Sequence, residues 1–459
     1  MHINKLHIQN FRCLKRIDFN FTPDNIVVII GINGAGKSSV LDCIASLLIQ
    51  LETRIIKIEP FEYSEIDSIN INQKINSFLT VDDINDNAKQ VDVSIEISTD
   101  FNDSISWKVT RSLIEKGLEG DYNQLNHYIE YLRRKLESNS NFNLPLMIYY
   151  RTRRITLDSK SRIILDTKSI DLDNLDSKVY PFKINQLSAY SGSFNPEVNN
   201  FQRFFTWFRQ EEDYENEIRL REDDKYRNPN LEVIRKALER FLEGFPSSHF
   251  SNLRVVRSTS QRNLNFNHSR IPSFLTITKN NQDFKLEQLS EGEKMLLMLV
   301  TDLARRLSIA NPGLGVEALH GKGIVLIDEI DLHLHPQWQR MVIPSLTQTF
   351  PNCQFIVTTH SPQVLSNVKR ENVFILEDYK LVEVTPYTYG RDSNSILYEL
   401  MDVSARPKEV QDKINACFDL INEEKLEEAK SKLQELADLL GEYDSEIVRA
   451  KTLINFLTE

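Results

Sequence analysis

Apolar and polar residues alternate along this chain in patterns that each predict a different element. Nearly unbroken apolar runs at residues 26–30 (IVVII), 324–327 (IVLI) and 353–358 (CQFIVT) are short, and they read as strands covered on both faces. Strict alternation at residues 91–97 (VDVSIEI) and 105–109 (ISWKV) predicts antiparallel sheet with one wet face. Residues 3–21 alternate in the same way and predict two strands about a polar turn. Helical spacing marks residues 39–48, 231–241 and 294–307, and a charged stretch within 111–145 also reads as helix, ending near Pro145. Phe201, Phe204, Phe205 and Phe208 share one helical face, which predicts a buried stripe rather than a base-stacking platform. After residue 406 the chain predicts short amphipathic helices. Their apolar stripes are Val410, Ile414, Cys417, Phe418 and Ile421, then Leu426, Ala429, Leu433, Leu436 and Leu440, then Ile447, Ala450, Ile454 and Leu457, with Gly441 ending the second.

The run at 26–30 leads directly into Gly31-Ile32-Asn33-Gly34-Ala35-Gly36-Lys37-Ser38, a G-x-x-x-x-G-K-[ST] phosphate loop, and Ser39 continues into a helix. Strand, glycine loop and helix are the context this motif needs. The glycines let backbone N–H groups converge on phosphate oxygens, and the helix N-terminus adds positive potential. Asn33, Gly34, Gly36, Lys37, Ser38 and Ser39 are the expected ATP-binding set. Lys37 is expected at the β- and γ-phosphates and Ser38 on Mg²⁺. The apolar strand at 324–327 ends in Asp328-Glu329. In a phosphate-loop protein such a strand end supplies the Mg²⁺ carboxylate, here Asp328, and beside it an acid that orients and deprotonates the attacking water, here Glu329.

Composition narrows the class without choosing a function. A chain of 459 residues exceeds one ordinary domain, and 41% hydrophobic with 26% charged residues is globular. No apolar run reaches the ~20 residues of a membrane span. Cys13, Cys43, Cys353 and Cys417 are scattered without paired spacing, which argues against disulfides and zinc and for a cytoplasmic protein. A formal charge of −11 argues against a uniformly DNA-coating surface, while leaving room for a local basic groove. The one basic stretch is Arg151, Arg153, Arg154, Lys160 and Arg162 beside Tyr149 and Tyr150, open to reading as nucleic-acid contact or as a solvated charge run.

Further motifs, in their order along the chain, carry a family resemblance. Gln9-Asn10-Phe11-Arg12 precedes the phosphate loop; Leu289-Ser290-Glu291-Gly292-Glu293 precedes an apolar helix; Asp331-Leu332-His333-Leu334-His335-Pro336 follows the acids; and a strand ends in His360. Together these resemble the heads of RecF/SMC-type ABC ATPases. The resemblance implies an α/β fold, an ABC-type P-loop ATPase head in two lobes with a helical insertion and a C-terminal helical tail. It places lobe I at 1–110, the insertion at 111–284, lobe II at 285–390 and a helical partner-binding region at 391–459. It assigns Arg12, and with it Asn10, to the nucleotide's surroundings. Ser290, Gly292 and Glu293 become a signature that caps ATP, residues 331–336 a D-loop rather than a histidine metal site, and His360 a γ-phosphate contact. No glutamine stands out for the family's Q-loop. Because one chain has one phosphate loop and one signature, the resemblance implies a homodimer or higher homo-oligomer with ATP and Mg²⁺ at the interface.

The insertion FTWFRQEEDYENEIR, the run HLHPQWQ after the acids and the tail GRDSNSILYELMDVSARPKEV resemble the ATPase subunits of Septu-type anti-phage defence systems, also found beside retrons. That resemblance implies hydrolysis of ATP to ADP and phosphate, a separate HNH nuclease subunit as partner, and nucleic acid as ligand or substrate of the complex. The tail shows no carboxylate cluster on strand ends, so a nuclease, where the system has one, is expected on another chain. The alternative is a stand-alone RecF-like DNA-repair ATPase that clamps DNA.

Overall fold

The computed structural model describes residues 1–458 except 59–78, 115–116, 153–185, 195–199, 246–248, 258–272, 384 and 402–405. The described chain forms two compact units, residues 1–391 and 392–459.

In the first unit the elements run β1 (His2–Phe11), β2 (Leu14–Asn20), β3 (Ile26–Gly31), α1 (Lys37–Ile56), β4 (Gln90–Ser98), β5 (Ile105–Ser112), β6 (Leu118–Asp121), α2 (Asn123–Ser138), β7 (Leu146–Tyr150), α3 (Asn200–Arg221), α4 (Pro229–Leu242), β8 (Phe250–Arg257), β9 (Ser273–Lys279), β10 (Gln282–Lys285), α5 (Glu291–Ala310), β11 (Gly323–Ile327), α6 (Pro336–Thr349), β12 (Cys353–Thr358), α7 (Pro362–Leu365), β13 (Val373–Glu377) and β14 (Lys380–Leu381). The apolar runs of the sequence are the centre of a six-stranded sheet, ordered β14-β13-β3-β12-β11-β7. All its pairings are parallel except β13 with β14. The alternating stretches build an antiparallel sheet ordered β2-β1-β4-β5-β6. A third sheet, β10-β9-β8, is also antiparallel.

Helix α1 lies in the core shared by the first two sheets. It buries side chains all around its circumference, from Val40 and Leu41 through Leu47, Leu48 and Leu51 to Ile55, as a helix with apolar residues on every face must. The same cluster takes in Ile3, Leu6 and Ile8 of β1, Val27 and Ile29 of β3, and Trp107 of β5. Two polar side chains of this core bond to backbone. Trp107 Nε1 donates to the Leu47 carbonyl at 3.1 Å. The Gln354 amide accepts from the Ile3 N–H at 2.7 Å and donates to the Ile3 carbonyl at 3.1 Å, tying the two sheets together.

Among the described residues of 111–284, strands stand beside the helices. Residues 118–121, within the charged region read as helix, pair instead with β5, and the helix starts only at Asn123. β7 belongs to the main sheet, pairing in parallel with β11. Phe204, Phe205 and Phe208 are buried, so that aromatic stripe is core; the Phe201 side chain and the basic residues Arg153, Arg154, Lys160 and Arg162 lie outside the described set.

Helix α5 carries a buried charge network that its apolar pattern conceals. Asp302 and Arg306 are fully buried. Asp302 accepts from Arg306 Nε at 2.8 Å, Arg305 Nη2 at 2.7 Å and the Tyr150 hydroxyl at 3.0 Å. Arg306 Nη1 also donates to the carbonyls of Ala189 and Ser191, at 2.6 and 3.1 Å. Burial opposes the Asp302 charge, but Arg306 and Arg305 outweigh it and hold the carboxyl down to about 2.

The second unit contains α8 (Ser393–Met401), α9 (Lys408–Asn422), α10 (Leu426–Leu440) and α11 (Ser445–Thr458). The last three pack on one another through Ile414, Cys417, Ile421, Ala429, Leu433, Leu436, Ile447, Ala450 and Ile454. Leu457, read as part of the third stripe, is exposed. No helix of the described residues is long and apolar enough to cross a membrane.

Asp302→Ala leaves two buried guanidiniums without their carboxylate. We expect it to lower the unfolding free energy by ~3–5 kcal/mol, read from the urea midpoint at pH 7. Because the folded pKa of Asp302 is depressed to about 2, its contribution is complete above the ordinary carboxylate range of ~4 and is lost as pH falls toward 2, where the two midpoints should converge.

Candidate functional site

The carboxyl ends of the parallel strands bring the predicted residues together, where open α/β sheets bind their ligands. β3 ends in the glycine loop. Gly36 has φ +100°, and a Cβ there would lie 2.8 Å from Leu14 Cδ2, so this position needs glycine for both reasons. α1 starts at Lys37 with no acidic residue in its first turn, which leaves the positive helix end un-neutralised. Asn33 and Gly34 are exposed and Ser39 half-buried around that end. The buried Lys37 ammonium donates to the carbonyls of Gly31 and Ile32, at 3.0 and 3.1 Å. Burial lowers its pKa, while Asp328, Glu329 and Asp331 pull the other way.

Asp328 is the hub. Its carboxylate accepts from Ser38 Oγ at 3.1 Å, from Thr152 Oγ1 at 2.7 Å and from Thr358 Oγ1 at 2.7 Å. These hydroxyls arrive from α1, from the end of β7 and from the end of β12. With its proton turned toward Asp328, Ser38 Oγ keeps a lone pair free for a cation. A hydroxyl and a carboxylate side by side are the hard oxygen donors that Mg²⁺ takes together with substrate phosphates. The residues present therefore fit that metal.

Glu329 adopts φ +50°, a left-handed conformation costing a non-glycine residue ~1–2 kcal/mol. Its N–H donates to Thr358 Oγ1 at 2.7 Å. Its carboxylate makes no hydrogen bond or ion pair with any described residue, and so stays available for chemistry. The next loop turns back on β12. Asp331 accepts from the Thr359 hydroxyl at 2.6 Å and from the His360 N–H at 3.3 Å. Half-buried His360 has a lowered pKa. Burial is the main cause and the Lys37 charge adds to it, with Asp331, Glu329 and Asp328 opposing, so the imidazole is neutral at pH 7.

Other predicted residues are engaged by partners of their own. Arg12, at φ +49°, is engaged by acids: Nε with Asp83 at 2.8 Å and Nη1 with Asp42 at 2.7 Å. Burial works against its charge, but Asp42 and Asp83 outweigh it and raise its pKa. Arg151 meets the same Asp42 at 3.0 Å and stacks on Tyr149. Asn10 bonds the Gln90 carbonyl at 3.3 Å. Ser290 caps α5. Its Oγ accepts from the Glu293 N–H at 3.3 Å, while Glu293 accepts from the Ser290 N–H at 2.9 Å and pairs with Lys279 at 2.5 Å. Gly292 is buried against the loop after the acids, where a Cβ would collide with the His333 carbonyl oxygen. His335 accepts from the Gln337 N–H and caps α6. Among the described residues, no hydrogen bond or ion pair joins the Ser290 group to Lys37 or Asp328. Thr152 and Thr358 were not singled out in the sequence. Their only signal is a hydroxyl at the end of an apolar strand.

The chain is similar to several known proteins. A family model described as "AAA domain, putative AbiEii toxin, Type IV TA system" matches residues 26–366. The chain is 29% identical to the retron Ec83 probable ATPase of Escherichia coli over 448 residues, covering 89% of this chain and 78% of that protein. It is 32% identical to the Septu protein PtuA of Bacillus mycoides (strain KBAB4) over 169 residues, 35% of this chain and 23% of that protein. Among solved structures, an SMC head bound to the C-winged helix domain of ScpA aligns with a TM-score of 0.44 and 15% identity, over 84% of this chain and 98% of that one.

His360 should titrate by NMR with a midpoint below the ordinary imidazole value of ~6.5. Lys37→Met removes a charge that lowers it, so the midpoint should move up in that variant. A wild-type midpoint at or above the ordinary value would contradict the burial described.

Proposed function

The chain belongs to the family described as AAA domain, putative AbiEii toxin, Type IV TA system, and from that membership we propose that it is the ATP-hydrolysing subunit of a cytoplasmic, Septu-like anti-phage defence complex. The observation that carries the reading is the meeting of Lys37, Ser38 and Asp328, with Glu329 and His360 alongside, at the ends of three neighbouring parallel strands.

Lys37 exchanges its loop carbonyls for β- and γ-phosphate oxygens, and the loop N–H groups and the α1 N-terminus bind the rest of the triphosphate. Ser38 and Asp328 would hold Mg²⁺, which would supply positive charge against the phosphates. Glu329 orients a water and accepts its proton. His360, neutral, hydrogen-bonds the terminal phosphate. One chain carries one phosphate loop and one signature group, and no hydrogen bond or ion pair among the described residues joins Ser290 to Lys37, which supports a composite site in a homodimer or higher oligomer: Ser290 of the partner subunit closes over ATP held by Lys37. Bound ATP then favours the closed pairing and its hydrolysis removes that bias. The resemblance to Septu- and retron-type ATPases supports an HNH nuclease on a separate chain as the partner, and nucleic acid as ligand of the complex.

Lys37→Ala should abolish nucleotide binding in a fluorescent-ATP titration. Glu329→Gln should lower kcat by ~10²–10⁴-fold while retaining ATP and stabilising the dimer in light scattering. A mass unchanged by ATP in that variant would count against the composite site. Co-purification with an HNH nuclease encoded beside it tests the assembly. Salt-dependent DNA binding by the isolated ATPase, with no such partner, would favour the clamp reading instead.

A further inference from the structure

Glu329 raises a problem that its own side chain does not solve. Its carboxylate has no hydrogen-bond or ion-pair partner among the described residues, yet a general base must hold a water in a definite place. Its direction must therefore be set by the backbone, and the backbone there is in the left-handed region, φ +50°. A glutamate drifts out of that region unless its neighbours fix it.

One residue does most of the fixing. Thr358 is the last residue of β12 and fully buried. Its hydroxyl oxygen accepts the Glu329 N–H at 2.7 Å, and its hydroxyl proton goes to Asp328 Oδ1 at 2.7 Å. Its main-chain carbonyl accepts the Ile330 N–H at 3.0 Å. Two successive N–H groups and the adjacent carboxylate are thus held by a single side chain and its own backbone. The parallel register explains how: Ile327 of β11 lies opposite Val357 of β12, so Thr358 faces the turn where the acids leave the sheet. The neighbouring Thr359 hydroxyl serves a different acid, Asp331, at 2.6 Å. Ser38 and Thr152 reach Asp328 but make no hydrogen bond to Glu329.

We propose that Thr358 is a positioning residue for hydrolysis: its hydroxyl locks Glu329 in the left-handed conformation that aims the carboxylate at the attacking water, and so governs the rate of the chemical step without touching the nucleotide. The inference rests on the ATPase reading of the site. Thr358→Val keeps the shape and the buried γ-methyl but puts a second methyl in place of the hydroxyl, removing both of its bonds. Thr358→Ser keeps the hydroxyl and removes a methyl.

The test uses the full chain with Mg²⁺ and ATP, measuring steady-state hydrolysis, fluorescent-ATP affinity and thermal unfolding for wild type and both variants. Misplacing a catalytic group by about an ångström costs on the order of 10²-fold. Thr358→Val should therefore lose ~10–10²-fold in kcat, with nucleotide affinity and KM changed by less than about threefold. Thr358→Ser should keep kcat within about threefold of wild type. Wild-type kcat in a folded Thr358→Val variant overturns the proposal. So does an equal loss in Thr358→Ser, which would assign the effect to packing. A loss of nucleotide affinity as large as the loss of kcat overturns it as well, since that would assign the effect to Asp328, which takes the same hydroxyl proton, rather than to Glu329. A wild-type chain that binds ATP but hydrolyses none overturns the ATPase reading itself, a result that stands apart from any comparison of the variants.

Discussion

Everything at the candidate site is organised by one buried carboxylate. Asp328 lies at the end of a fully buried strand, where a lone charge would be expensive. Hydroxyls from Ser38, Thr152 and Thr358 satisfy it. Each belongs to a different segment, so the same bonds that make the charge tolerable also draw α1, β7 and β12 to one point. A hydroxyl donor suits this place better than a lysine or arginine would. It stabilises the acid without neutralising it, leaving charge for a cation. It also leaves an oxygen lone pair that can serve a second partner, as Thr358 does for Glu329.

The scaffold keeps that point rigid. α1 cannot shift without disturbing both large sheets, because it buries residues on every side between them. β7 is tied by its carbonyl to the Asp328 N–H at 2.9 Å and by the Tyr150 hydroxyl to Asp302 on α5. Helix α5 is therefore joined through buried polar contacts to the strand end that bears the acids. Gly292, packed against the His333 carbonyl, makes a second connection between the same parts.

Much of this was legible in the amino-acid order. The glycine loop is written in the sequence because only glycine tolerates its backbone angles, and the strand and helix flanking it show through their apolar spacing. The parallel strands are visible because burial on both faces demands unbroken apolar residues. β6 was not legible: four residues paired to β5 have no pattern of their own, and the charged stretch after them reads as helix throughout. The stretch 111–284 reads as a mixed, largely helical insertion with a strand at LMIYY; what its composition does not show is that this strand, β7, completes the main sheet.

What the sequence determined by itself was therefore local: where the backbone must turn, which runs must be buried, and which residue types stand at strand ends. Partnership was decided only in three dimensions. Thr152 and Thr358 are ordinary threonines until β7 and β12 flank β11 and carry their hydroxyls to Asp328. Asp302, Arg305 and Arg306 look like the polar face of an amphipathic helix until the fold closes over both sides of it. Ser290, by contrast, caps its own helix through Glu293, three residues on, a contact that the local order of residues already allows. Backbone conformation is chosen by neighbours along the chain, whereas a hydrogen bond between residues 30 to 290 positions apart depends on which strands lie side by side.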